Sequence, residues 1–324
     1  FQKLILGTME RTHRFKGKMD DLFIYKRNLN HREVKALFHN QFDYEPATSA
    51  YAITAQSDVD KNIPEADQTN DNIFALIIGN ENYSDYNENT GSMANVTYAR
   101  RDAVYFKKYV QNTLGVPESN VQILKDATKT RMDTELKTMN ERIKNHGNVD
   151  RYIFYYAGHG YPTQERGAYI IPVDVGVNNF NEAGIELDVL YSRLADNNAG
   201  EINVFMDACF SGGGRLAGLT GETKGRALFI KPKKYGVKDR TVIFSAAQND
   251  QTAWPMNDEY HGVFTYYLLK KLQKTNGNVA YGELAEYLRK KTTDYTLNNH
   301  KKQTPETRAS RELKETWKQL EWKR

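Results

Sequence analysis

Cysteine is almost missing from this chain. Cys209 is the only one in 324 residues, so no disulfide can staple the fold internally. That scarcity does not decide the compartment, because secreted proteins can also lack disulfides. Long apolar runs are missing as well: none approaches the roughly eighteen residues a membrane helix needs, so no membrane span is expected. Charge of one sign is not in excess either. Lys and Arg number 45 against 41 Asp and Glu, and a net charge of +4 is too mild to argue for a nucleic-acid partner. The sequence begins at Phe1 without an initiating methionine or a signal-like segment, and it is expected to be a mature product or a fragment.

What is present divides into three zones. Residues 1–40 read as two strands and a helix (LILG, FKGKMDDLFIYKRNL, NHREVKALFHNQ), with Asn30 as helix cap and Val34, Leu37 and Phe38 on one face. Residues 41–72 show no sustained period, are rich in Ala, Ser, Thr, Asn and Asp, and read as a linker. From Ile73 to Arg324, strands and helices alternate. The expected strands are 73–79, 121–124, 152–157, 168–172, 202–206 and 241–245. Helices are expected near 97–114, 131–145, 187–196, 262–273, 280–291 and 305–321. Met132, Leu136, Met139 and Ile143 step along one face of the second helix. This alternation specifies an α/β fold, a mostly parallel sheet covered on both faces. Function is then expected at the carboxyl ends of the strands, where Gly79, His159, Cys209 and Ser245 fall.

Two of those strand ends carry reactive side chains. His159 stands in RYIFYYAGHG and Cys209, fifty positions later, in INVFMDACFSGGG. A thiol is a useful nucleophile only as thiolate, and a nearby imidazole both stabilises the thiolate and later protonates the leaving amine. A lone cysteine after an apolar strand reads equally well as an inert core residue, and a lone histidine beside glycines as a turn residue. The pair, its spacing, and the glycines at 158, 160 and 212–214 argue for catalysis. Without a β-carbon the backbone can approach a substrate carbonyl and aim N–H groups at an oxyanion.

With those residues in place, 73 to about 300 resembles the caspase, metacaspase and bacterial orthocaspase peptidases. The matching blocks are ALIIGNENY, YARRDAVYFKKYV, FYYAGHG, VFMDACFSGG, and FSAAQNDQTAW followed by HGVFTYYLLKKL. A histidine about fifty residues ahead of the nucleophile is a known caspase spacing. The resemblance implies a cysteine endopeptidase acting through an acyl-enzyme thioester, with His159 as general base and Cys209 as nucleophile. It implies an oxyanion hole from the N–H groups of Gly160 and Cys209. Animal caspases carry glutamine two residues before the nucleophile; here that residue is Asp207, as in metacaspases, and Asp102 falls where metacaspases have a second pocket aspartate. Two carboxylates in a partly desolvated pocket pair with a guanidinium or ammonium, so the expected substrate is a protein or peptide cut after Arg or Lys. Asp250 is a third candidate for the pocket wall. Read without the resemblance, Asp102 is an exposed acid in a helix's first turn.

Phe210 replaces the histidine that follows the nucleophile in many metacaspases, which places the chain nearer the bacterial caspase-like group. No cofactor is required by this chemistry. Asp174, Glu182, Glu186 and Asp188 have no EF-hand spacing, and calcium is left open. The stretch from Gly213 to Arg240 carries eight basic residues and is read as an exposed loop open to self-cleavage, first at Lys224 and Arg226. Residues 1–40 resemble the closing segment of a laminin-G or concanavalin-like jelly roll, which favours a secreted, periplasmic or cell-surface setting without excluding the cytoplasm. A catalytically silent binding scaffold and a glycan-binding surface protein are the competing classes; both catalytic side chains are retained, and forty residues cannot build a two-sheet sandwich.

Overall fold

The computed structural model describes residues 56–86, 93–163, 167–210, 238–248 and 251–323. All belong to the second of two units, Gln56–Arg324. The tail at 1–40, the linker as far as residue 55, Asp250, Lys224 and Arg226 lie outside the described residues. So do residues 213–237 of the proposed cleavage loop.

The central sheet has six strands. In chain order they are β1 (Ile73–Gly79), β2 (Val121–Lys125), β3 (Arg151–Ala157), β7 (Glu201–Asp207), β8 (Thr241–Ser245) and β11 (Glu306–Ala309). Their spatial order is β11-β8-β7-β3-β1-β2, parallel throughout except for β11, which is antiparallel at one edge. The inner strands are buried along their whole length, as their near-continuous apolar sequences require. Alternation divides each between two cores. Ala75, Ile77, Ile153, Tyr155 and Phe205 pack on one face with helices α1 (Ala99–Leu114), α4 (Val263–Thr275) and α5 (Tyr281–Asn298). Leu76, Ile78, Phe154, Tyr156, Val204 and Met206 pack on the other with α2 (Lys129–His146) and α3 (Leu187–Leu194). The stripe Met132, Leu136, Met139 and Ile143 is fully buried in that second core. The helix is capped at its start by Thr128.

Three expectations need correction. Residues 168–172 are not part of the central sheet. Strand β5 (Gly167–Ile170) joins β4 (Gly160–Thr163) and β6 (Ile185–Glu186) in a separate antiparallel sheet. An apolar run specifies a buried strand without saying which partner buries it. Residues 305–321 are not a helix. Glu306–Ala309 closes the sheet edge against β8, and a short 3₁₀ turn at Trp317–Gln319 follows. Long-range pairing overrides the helical period there. Finally, residues 56–72, read as linker, pack on the domain: Ser57 and Val59 are buried, and Tyr109 Oη donates to the Val59 carbonyl at 2.8 Å.

Two short strands complete the frame. β9 (Pro255–Met256) and β10 (His261–Gly262) pair antiparallel just ahead of α4. Gly262 is the residue from which α4 starts.

Candidate active site

His159 and Cys209 leave the sheet from neighbouring points. Ala157, the last residue of β3, lies opposite Asp207, the last of β7, so each reactive residue stands two positions beyond a paired strand end. The ladder runs on past the strands, with Gly158 N–H donating to the Asp207 carbonyl at 3.3 Å. Gly160 then passes so close to Cys209 that an added Cβ would stand 2.4 Å from the Cys209 carbonyl oxygen. Only glycine allows that approach.

The histidine is held on all sides. Its ring lies against Tyr83, centroids 4.5 Å apart, and its backbone N–H donates to Tyr83 Oη at 3.0 Å. Tyr156 Oη donates to the His159 carbonyl at 2.7 Å. Nε2 bonds to the Ala94 carbonyl at 2.6 Å. A carbonyl is an acceptor only, so Nε2 carries a proton. Burial holds the Tyr83 phenol well above its ordinary value, and it stays a neutral donor and acceptor. Cys209 is 2% exposed. Its Sγ accepts the Ala253 N–H at 2.7 Å and lies 3.7 Å from the Ala253 carbonyl.

Beneath these two residues the structure brings Asp102 and Asp207 together. Alternation along β7 turns Asp207 to the same face as Phe205, toward α1 and α4, and Asp102 comes from the first turn of α1. Both converge on Gly262: a Cβ there would stand 2.4 Å from Asp207 Oδ2 and 3.1 Å from Asp102 Oδ2. Asp207 Oδ2 accepts Thr265 Oγ1–H at 2.7 Å and Thr265 N–H at 3.3 Å, at the amino end of α4, where the helix dipole favours a carboxylate. Tyr155 Oη completes a relay by donating to Thr265 Oγ1 at 2.7 Å. Burial first, and the two carboxylates next, keep that phenol protonated.

Asp102 is not the exposed first-turn acid that its local sequence suggests. It is 2% exposed, with Oδ2 accepting Gly262 N–H at 3.0 Å and Oδ1 accepting His261 Nδ1–H at 2.6 Å. The other nitrogen of His261 donates to Asp60 Oδ1 at 2.9 Å. Burial alone would depress the imidazole, but hydrogen bonds to Asp102 and Asp60 outweigh it and raise its pKa to about 9. Burial holds Asp102 above its ordinary value, although the hydrogen bond and charge of His261 pull against it. Asp60 is pulled below its ordinary value by His261 and Arg101 against the opposing effect of burial. The imidazolium therefore sits between two carboxylates.

Sequence reasoning missed Asp60, His261, Thr265, Tyr83 and the backbone groups of Ala94 and Ala253. Tyr83, His261 and Thr265 fall inside recognised blocks but have no chemical signature of their own. Among the acids considered for calcium, Asp174 accepts the Lys129 N–H at 2.8 Å at the start of α2. Among the described residues no group of three or more His, Cys, Asp or Glu side chains is placed to hold a metal ion. Nor is any described helix long and apolar enough to cross a membrane.

Comparison with known proteins bears on the fold. A protein of Geobacter sulfurreducens is similar in fold, with a TM-score of 0.55 at 18% identity, 77% of this chain and 97% of that one being covered. Caspase-1 from Spodoptera frugiperda superposes with a TM-score of 0.50 at 16% identity over 75% of this chain and 90% of that one. No curated protein matches the sequence. The family model described as "Caspase domain" matches residues 73–316, more than half of the chain. The fold is thus caspase-like, and the chain belongs to the caspase domain family.

Proposed function

We propose that the protein is a cysteine endopeptidase that cuts protein substrates after Arg or Lys, using Cys209 as nucleophile and His159 as general base and acid. The observation that carries this reading is the register of β3 and β7, which sets the two residues at equivalent positions beyond adjacent strand ends in a caspase-family chain. In the proposed reaction the thiol proton passes to Nδ1 of His159, because Nε2 is committed to the Ala94 carbonyl. The thiolate attacks the scissile carbonyl, and the N–H groups of Gly160 and Cys209 receive the oxyanion. His159 then protonates the leaving amine, and water releases the second product from the thioester. Asp207 and Asp102 supply the negative charge that recognises the basic side chain.

The chemistry calls for no metal or cofactor, and calcium is not part of the reading. Within the family we assign the chain to the bacterial caspase-like group on Phe210. Residues 1–40 are read as the end of a laminin-G or concanavalin-like module. Self-cleavage at Lys224 or Arg226 extends the same specificity to the enzyme's own chain.

The decisive experiment is covalent labelling. A peptidyl chloromethyl ketone ending in Arg should alkylate Cys209 rapidly and one ending in Asp should not, with the adduct located by mass spectrometry. Failure of both reagents to label Cys209 would overturn the nucleophile, and preference for the Asp reagent would overturn the pocket.

A further inference from the structure

The stretch just upstream of the family match, residues 56–61, is built into the underside of the acidic pair. Ser57 caps a 3₁₀ turn at Asp58–Asp60: its side chain accepts the Val59 N–H, and Asp60 Oδ2 accepts the Ser57 N–H at 3.0 Å. Three elements of the domain grip that turn. Ser57 Oγ donates to Glu259 Oε2 at 2.7 Å, in the connection between β9 and β10. From α4, Gln273 Nε2 donates to the Asp58 carbonyl at 2.9 Å and to the Lys61 carbonyl at 2.7 Å, while Lys270 pairs with Asp58. From α1, Tyr109 holds the Val59 carbonyl and Arg101 pairs with Asp60. The Asp60 side chain is thereby completely buried, and its remaining oxygen takes the Nε2–H of His261.

We propose that Asp60, acting through His261, is a positioning residue for recognition of a basic substrate side chain. It orients the imidazole whose other N–H holds Asp102 beside Asp207. The inference rests on the reading of that acidic pair as the substrate pocket.

The charges explain why the strap matters. His261 and Arg101 hold Asp60 below its ordinary value against the effect of burial, so it stands as a carboxylate in this buried group. Replacing Asp60 by Asn removes one negative charge and leaves a single oxygen for the two sides on which the carboxylate accepts, the Nε2–H of His261 and the Ser57 N–H beside Arg101. Both changes weaken the pull on a guanidinium without touching His159 or Cys209. Tyr105, whose ring edge meets His261 at 5.5 Å between centroids, supplies no replacement charge.

The test compares full-length wild type with Asp60→Asn on two peptide substrates, one with Arg before the scissile bond and one with citrulline, its uncharged isostere. Alkylation of Cys209 by iodoacetamide serves as a measure of the nucleophile. Loss of one pocket charge is expected to lower the Arg-to-citrulline ratio of kcat/KM by about tenfold, mostly through KM for the Arg substrate. The alkylation rate should hold within about twofold. Asp60→Glu, which keeps the charge, should restore part of the ratio. If wild type does not prefer Arg over citrulline, the pocket reading itself fails. If wild type does prefer Arg and the Asp60→Asn ratio is unchanged, including an equal fall on both substrates, Asp60 is merely structural and this inference alone is overturned. Should Asp60→Asn not fold, Ser57→Ala loosens the same turn without altering charge; a lowered ratio in that variant supports the inference and an unchanged one refutes it.

Discussion

His261 should make the stability of this domain fall as the solution becomes alkaline. Its imidazole goes from an ordinary value of 6.5 to about 9 on folding, because hydrogen bonds to Asp102 and Asp60 overcome the cost of burial. A raised value means that the folded state holds the proton more tightly than the unfolded state. The stabilisation is therefore complete below the unfolded value and is lost as the pH climbs from about 6.5 through about 9. At 1.36 kcal/mol for each pH unit between the two values, the loss across that window is about 3 kcal/mol. Asp60 titrates in the opposite sense. Its lowered value gives stability that is present above an ordinary 3.8 and lost only as the pH falls through the folded value, so it adds nothing to the alkaline slope. The assay is guanidinium unfolding of the Cys209→Ala protein, in which self-cleavage cannot intrude, followed by tryptophan fluorescence, to which the fully buried Trp322 contributes. The reference is the same protein carrying His261→Gln, whose midpoint should start lower, since one partner of a buried charge cluster is gone, by about 3 to 5 kcal/mol. The His261 protein should lose more stability than the variant between pH 6.5 and 9, at unchanged m-value. Parallel pH profiles for the two proteins would show that no imidazolium is held between Asp60 and Asp102.

Cys209→Ala and His159→Ala should each reduce turnover to below about a hundredth of wild type while the fold is retained, as paired catalytic groups act as a unit; residual activity above that, measured against purified inactive protein, would remove the dyad. Asp207→Asn should cost about 2 to 4 kcal/mol in kcat/KM for an Arg substrate, the range for losing one partner of a desolvated charge pair, with little effect on a citrulline substrate. Gly160→Ala forces a methyl against the Cys209 carbonyl, so the backbone after the nucleophile must shift. The expected stability loss is about 1 to 3 kcal/mol, with kcat falling further than KM rises, and unaltered kinetics would argue against Gly160 in the oxyanion hole. Wild type incubated beside Cys209→Ala should be cut after Lys224 or Arg226 in the first sample only, and fragment masses that match in both samples would refute self-processing.

Much of this site was legible in the chain itself, and the reason is local. A strand's alternation needs only its own residues, so the two cores on either side of β1, β3 and β7 could be drawn from the apolar pattern. Strand ends marked by small residues announced where His159 and Cys209 would stand. Asp207 follows from the same alternation, two residues beyond Phe205 on the same face. Tertiary structure decided what depends on partners distant in sequence. Asp60 and His261 are 201 positions apart, and no local period distinguishes a serine-capped turn packed on the domain from a linker that packs on nothing. The stretch around Trp317 carries apolar residues at helical spacing, yet the antiparallel pairing of Glu306–Ala309 with β8 claims its beginning, and hydrogen bonding across the sheet outweighs helix propensity. Asp102 is the sharpest case. Its sequence context is that of a solvated acid at a helix start, and only the packing of β10 over α1 makes it a buried carboxylate paired with an imidazolium, because burial turns the presence of one distant histidine into a requirement.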